Sequence, residues 1–165
     1  MKLKTILLTG TSGFIGNIFL RFILSENFKV IDVLRNKNRN NKSLNQLRKK
    51  YKDTYETIFF SNEYLLNKKL KKKKIDFFIN FATLYKNDHT HFEISKFIRS
   101  NIYFPTIITD SIFLKVKKII NFGTMMQHSD GKTYSPKNFY ASTKSAFEMI
   151  LNYYYLKNKK LNLNN

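Results

Sequence analysis

The sequence predicts an α/β fold: a doubly wound parallel sheet with helices on both faces. Three observations lead there. Short apolar runs that read as strands alternate with stretches whose apolar residues recur at helical spacing. Two of those runs, "IDFFINFAT" and "VKKIINFGT", carry apolar residues on both faces at their centres, as strands covered on both sides of a parallel sheet do. The 165 residues hold only five glycines, and three of them crowd into "LLTGTSGFIG". These are Gly10, Gly13 and Gly16, where the first strand gives way to the first helix.

Taken in order, "KTILLTG" is brief, apolar and stopped by glycine, which marks a buried strand. From Phe14 onward, Ile15, Ile18, Phe19, Phe22 and Ile23 return at helical spacing, with Arg21 and Glu26 off that face. They predict a helix packed through those apolar residues. "FKVIDVL" is the second strand. The polar loop "RNKNRNNKS" leads to a lysine-rich helix around 44–50, and "ETIFF" is a short third strand. "EYLLNKKLKKKK" predicts a helix with Leu65, Leu66 and Leu70 inward and a solvated basic end. "IDFFINFAT" is the fourth strand, and a long helix over 92–113 follows, kinked at Pro105. "VKKIINFGT" is the fifth strand and "NFYASTKSAFEMILNYYYL" a strong helix. Residues 1–157 read as one domain, and the polar tail 158–165 reads as frayed.

Composition narrows the function classes. Thirty Lys and Arg against eleven Asp and Glu leave a net charge of +19. The excess is mostly lysine spread along the chain, so "KKLKKKK" reads as a solvated helix end and no nucleic-acid partner is expected. No cysteine is present, which excludes a disulfide framework and thiolate chemistry and agrees with a cytoplasmic setting. "MKLKTILLTG" opens like a signal peptide, but its apolar stretch is too short for one. No run approaches the ~18 apolar residues of a membrane span, and no membrane association is expected. His89, His91 and His128 lack companions at metal-ligand spacing, so no metal site is assigned.

The glycines carry a specific chemistry. Between a strand and a helix, the first permits a sharp turn and the second lets main chain approach a diphosphate. The third lets the helix pack closely on the strand. Amides at the helix start then receive the phosphate charge. Gly10, Ser12, Gly13, Phe14, Ile15 and Gly16 are the candidate residues for a dinucleotide.

The form "TGTSGFIG" resembles the extended short-chain dehydrogenase/reductase family, the NAD-dependent epimerase/dehydratases that act on nucleotide sugars. The resemblance runs through essentially the whole chain and implies a Rossmann domain. Strand four of that family ends in His-Leu-Ala-Ala, and Asn80, Phe81, Ala82 and Thr83 stand there. "SNIYFPTIITDSI" resembles its Asn-Val-x-Gly-Thr helix, with Asn101 in place. "KKIINFGTMMQH" matches the strand that delivers a catalytic Ser or Thr, which implies Thr124. "YSPKNFYASTK" matches its Pro-x-x-x-Tyr-x-x-x-Lys segment and implies Tyr140 and Lys144. Asn62, after strand three, stands near the position of the family's adenine-binding Asp. "FATLYKND" and "NFGTMMQH" are more similar to the branch containing 4-keto-6-deoxysugar reductases than to the common epimerases.

Tyr140 and Lys144 lie one helical turn apart and leave the same face. A phenol with a pKa near ~10 is a weak base at neutral pH. A close ammonium is expected to lower that pKa, so that Tyr140 takes a proton from a sugar hydroxyl, or returns one. The family role implies that Lys144 also binds the nicotinamide ribose and that Thr124 holds the reacting oxygen. The acid that binds adenosine ribose in NAD enzymes falls near Leu34, and the next residue is Arg35. A basic side chain there suits the extra phosphate of NADP(H), the favoured cofactor. If Asp32 reaches the ribose instead, NAD(H) is the cofactor. Family members run to about twice this length and bind the nucleotide sugar through a second half, which here is missing. The chain is expected either to be part of a longer enzyme or to be a catalytically silent NAD(P)-binding remnant. The resemblance also implies a homodimer joined by a four-helix bundle, with Phe97, Phe104 and Tyr153–Tyr155 as candidate contacts.

Overall fold

The computed structural model describes residues 3–38, 40–131, 135–158 and 161–164. Met1, Lys2, Tyr134 of "YSPKNFYASTK", and residues 159, 160 and 165 of the tail lie outside the described residues. Six strands form one parallel sheet in the order β3-β2-β1-β4-β5-β6. They are β1 (Thr5–Thr9), β2 (Lys29–Arg35), β3 (Tyr55–Phe60), β4 (Phe77–Asn80), β5 (Lys118–Asn121) and β6 (Asn162–Asn164). The chain winds outward through β2 and β3, then crosses back over β1 to β4. A crevice therefore opens beyond the carboxyl ends of β1 and β4, where strand order reverses.

Alternation along the strands sorts apolar side chains to two layers. Ile6, Leu8, Val30 and Leu34 meet Leu20, Ile23 and Leu24 of α1 (Phe14–Ser25) and Leu44 and Leu47 of α2 (Lys42–Lys50). On the other side, Leu7, Ile31, Val33, Phe78 and Ile119 meet α3 (Glu63–Lys71), α5 (Phe104–Ile112) and α6 (Phe139–Lys157). Burial of these two layers is the main force that holds the sheet. Asn41, Asn62 and Asn138 cap α2, α3 and α6, each side chain accepting a main-chain N–H of the first turn.

Four local expectations change. The inward face of α1 is Gly16, Leu20, Ile23 and Leu24, while Phe14, Ile15, Ile18 and Phe22 are exposed. The helix is apolar nearly all round, so periodicity alone could not choose a face. Gly16 chooses it: a Cβ there would lie 2.4 Å from the Gly10 carbonyl oxygen. In α3, Leu66 and Leu70 are buried but Leu65 is exposed. Phe97, Phe104 and Tyr154 are core residues and present no surface to a second copy, whereas Tyr153 and Tyr155 are exposed. The tail is also not simply frayed. Leu161 is buried, and Asn162–Asn164 pair with Lys118–Ile120 as β6.

The long helix is interrupted. After α4 (Ile94–Ile98), residues Arg99–Tyr103 form a π-helical turn that runs into α5. Pro105 has no N–H to donate to the Asn101 carbonyl, so regular pairing fails there. The wider turn absorbs the break, and Phe104 N–H bonds to Arg99 five residues back. Among the described residues, no helix is long and apolar enough to cross a membrane.

Candidate active site

The turn between β1 and α1 is built by its glycines. Gly10 has φ +76°, and a Cβ there would lie 2.5 Å from Ala82 N and Phe81 C, against the main chain leaving β4. Only glycine fits both constraints. Gly13 N–H donates to Gly10 C=O at 3.0 Å and closes the turn. Gly13 is the N-cap of α1 and supplies no side-chain cap, so that end of the helix is open to an anion.

Below the turn, three strand ends are tied by side chains in register. Thr9, Asn80 and Asn121 stand side by side on β1, β4 and β5. Thr9 Oγ1 donates to Asn80 Oδ1 at 2.6 Å, and Asn80 Nδ2 donates to Asn121 Oδ1 at 3.0 Å. This buried ladder fixes the floor of an open cleft of about 870 Å³. The glycine turn, Ser12, Phe14 and Ile15 line one wall, and Phe81, Ala82 and Thr83 line the middle. Arg35 and Asn38 lie at one end, with Tyr140 and Lys144 toward the other side. Arg35 Nη2 donates to Ser100 Oγ at 2.8 Å.

Tyr140 and Lys144 leave the first turns of α6. Asn101, held inward by the π-helical turn, braces them. Its Nδ2 donates to Leu84 C=O at 3.0 Å and to Thr143 Oγ1 at 2.9 Å, and its Oδ1 accepts from Leu84 N–H at 2.6 Å. The loop after β4 is thereby locked to the turn of α6 that carries the phenol. Tyr85 packs edge-on against Tyr140, ring centres 4.9 Å apart.

Burial pushes the Tyr140 phenol above its ordinary value; a hydrogen bond with Thr83 opposes this and the neighbouring Tyr85 adds to it. The expected lowering by Lys144 is therefore not what this surrounding produces. Burial likewise pulls the Lys144 ammonium down to about 8, against the attraction of Glu148 one turn on. A second polar chain runs from there. Gln127 Nε2 donates to Glu148 Oε2 at 2.6 Å, and Thr124 N–H donates to Gln127 Oε1 at 2.8 Å. Gln127 is buried, so the turn carrying Thr124 is anchored to the helix carrying Lys144.

Comparison with known families decides the lineage. The NAD dependent epimerase/dehydratase family matches residues 6–163. The chain belongs to that family. No curated protein matches it. Among solved structures, the UDP-Glc/GlcNAc 4-epimerase from Campylobacter jejuni superposes with a TM-score of 0.80 at 18% identity. The match covers 97% of this chain and 51% of the epimerase, so the chain spans about half that protein's length. A bulky-bulky ketone specific alcohol dehydrogenase from Comamonas testosteroni gives 0.77 at 20% identity, over 98% of this chain and 70% of its own. A short-chain dehydrogenase from Sphingobium yanoikuyae, solved with NADPH, gives 0.76 at 20% identity, over 95% and 66%. At such identities these structures show a shared fold.

Within this family member, most residues singled out in the sequence meet in one cleft: Gly10, Ser12, Gly13, Phe14, Ile15, Gly16, Arg35, Phe81, Ala82, Thr83, Tyr140 and Lys144 all line it. Three do not. Asn62 is spent on capping α3, accepting from Tyr64 N–H and Leu65 N–H. Asn101 sits behind the lining as a brace. Thr124 caps the short helical turn Met125–Gln127 and is not a lining residue of the cleft. Asp32 does not reach the cleft either; it is fully buried. Sequence reasoning missed Ser100, Leu84 and Tyr85. Leu84 and Tyr85 directly follow the "FAT" segment, which was the available signal.

Proposed function

We propose that the chain is the cofactor-binding, acid–base half of an oxidoreductase that acts on a nucleotide-diphosphate sugar, a 4-keto-deoxysugar reductase or an epimerase/dehydratase. The observation that carries this reading is the meeting of the glycine turn with Tyr140 and Lys144 in one cleft. The residues present fit a dinucleotide: the turn leaves no room for a Cβ at Gly10 and keeps the α1 terminus open. A nicotinamide dinucleotide bound there supplies hydride exchange. The chain's own residues handle the rest. Tyr140 holds or releases the proton at the sugar oxygen, and Lys144, one turn on in the same cleft, binds the nicotinamide ribose. Tyr85, packed on Tyr140, covers the phenol's edge. Two solved structures with this fold, the Campylobacter jejuni epimerase and a dTDP-glucose 4,6-dehydratase from Bacillus anthracis with NAD, are named for nucleotide sugars.

Within this reading NADP(H) is preferred. Arg35 lines the cleft at the end of β2, while Asp32 is turned into the interior and cannot meet a ribose. Titration with NADPH and NADH tests this. Arg35→Ala is expected to weaken NADPH about tenfold or more, since hydrogen bonds to charged groups contribute about 1.5–3 kcal/mol, and to leave NADH unchanged. Equal losses for both cofactors, or none, would refute the role of Arg35. Binding without turnover on any nucleotide sugar would support the alternative reading, a silent NAD(P)-binding remnant.

A further inference from the structure

We propose that Asp32 is a positioning residue for dinucleotide binding: through Thr11 it fixes the turn that receives the diphosphate, and it takes up a proton as the diphosphate binds. The inference rests on reading the cleft as a dinucleotide site. Asp32 sits in the middle of β2, on the face where Val30 and Leu34 enter the apolar layer beneath α1 and α2. Its Oδ2 accepts from Thr11 Oγ1 at 2.6 Å and from Tyr55 OH at 2.7 Å. Its Oδ1 has no hydrogen-bond partner among the described residues. Thr11, between Gly10 and Gly13, is fully buried as well, and its C=O accepts from Asn17 Nδ2 of α1 at 3.3 Å. One carboxyl oxygen thus clamps the turn to β2 and β3.

A neutral acceptor would serve a clamp alone; a buried acid adds charge. The groups facing it are the Thr11 hydroxyl from the turn, Tyr55 from β3 and the Arg48 guanidinium from α2. β1 and α1 bring the apolar Leu8 and Leu20 to this layer. Burial raises the carboxyl, and the two donors and Arg48 hold it down, leaving it at about 6. A diphosphate over the same turn adds negative charge and raises it further. Binding therefore draws a proton from solvent, and by reciprocity higher pH weakens binding.

The test is calorimetric titration of the full chain with NADPH at pH 6, 7 and 8, in two buffers of different ionisation enthalpy so that protons taken up are counted. The proteins are wild type, Asp32→Asn, Thr11→Val and Thr11→Ser. Asp32→Asn keeps an acceptor for Thr11 and removes the charge, so its curve records the ligand's own phosphate titration. Relative to it, wild-type affinity is expected to fall about fivefold from pH 6 to 8, the effect of about one unit of pKa rise on binding across that window, with extra proton uptake. Thr11→Val is expected to weaken binding about tenfold at every pH, and Thr11→Ser to restore it. Parallel wild-type and Asp32→Asn curves overturn the proton uptake; wild-type affinity in Thr11→Val overturns the positioning role. Absence of NADPH binding by the wild type at every pH overturns the cleft reading itself, and this inference with it.

Discussion

Replacing Asp32 with Asn should change how stability depends on pH, independently of any ligand. In the folded chain burial pushes the carboxyl up to about 6, against 3.8 for an unperturbed Asp, and the residue is fully buried, so solvent screening takes little from the effect. Between those values the folded state binds more protons than the unfolded one. Stability contributed at this site is therefore full below about pH 4 and is lost as pH rises to about 6. Roughly two units at 1.36 kcal/mol each make the loss about 3 kcal/mol. Asn cannot titrate. Its amide shifts the whole curve by a constant, through the new NH₂ in an apolar layer, and the pH-dependent part is unaffected. Urea unfolding of both proteins from pH 4 to 8 gives the difference directly. The gap should move by about 2 kcal/mol in favour of Asp32→Asn between pH 4 and pH 6.5, then stay level. For a chain of this size that is about 4–8 °C in Tm. A gap constant across the range would mean that the carboxyl is solvated or already paired, and the reasoning about β2 fails.

Three further outcomes follow from the site. Gly10→Ala must place a side chain at φ +76° and 2.5 Å from the main chain of Phe81 and Ala82. The left-handed conformation alone costs about 1–2 kcal/mol, and the contact adds to it, so thermal melts should drop by at least several degrees and cofactor binding should vanish. Tyr140→Phe should leave NADPH binding within about twofold while turnover of a nucleotide sugar falls by about 10²–10⁴, as for the loss of a positioned acid–base group; turnover within tenfold of wild type removes Tyr140 from the chemistry. Glu148→Gln removes a charge that holds the Lys144 ammonium up, so Lys144 should titrate below its present value of about 8. Because a lysine with a lowered folded pKa gives stability that grows as pH rises from that pKa toward 10.5, the rise should begin at lower pH in the variant. NMR of the selectively labelled lysine, or pH-dependent stability, reads the shift.

What was legible in the sequence was order. The strands and the helices between them, the glycine turn and the Tyr–Lys helix all emerge where the apolar runs and turn residues place them, because each depends on neighbours a few residues away. Rotations and commitments were less legible. The exposed face of α1 could not be chosen from a helix apolar on both sides; a 2.4 Å approach between Gly16 and Gly10 chooses it, and that contact exists only once the turn has formed. Asn62 and Thr124 have the residue types of binding groups, but both are spent on helix ends created by the chain just after them. Asn101 is functional-looking in sequence and is buried because a π-helical turn before Pro105 swings it inward.

Asp32 shows the same division most sharply. Read along the chain, it is an acid two residues before the ribose position. In the sheet a slip of two residues keeps the same face, so register alone does not keep it from the cleft. Position along the strand does. Asp32 pairs with Leu8, one residue before the end of β1, whereas Arg35 is the last residue of β2 and stands beyond the last paired residue of β1. The crevice begins where the strands end, so an arginine reaches it and the acid beneath it can act only through Thr11. The cofactor preference and the pH dependence of binding, both proposed above, thus follow from one three-residue offset in β2.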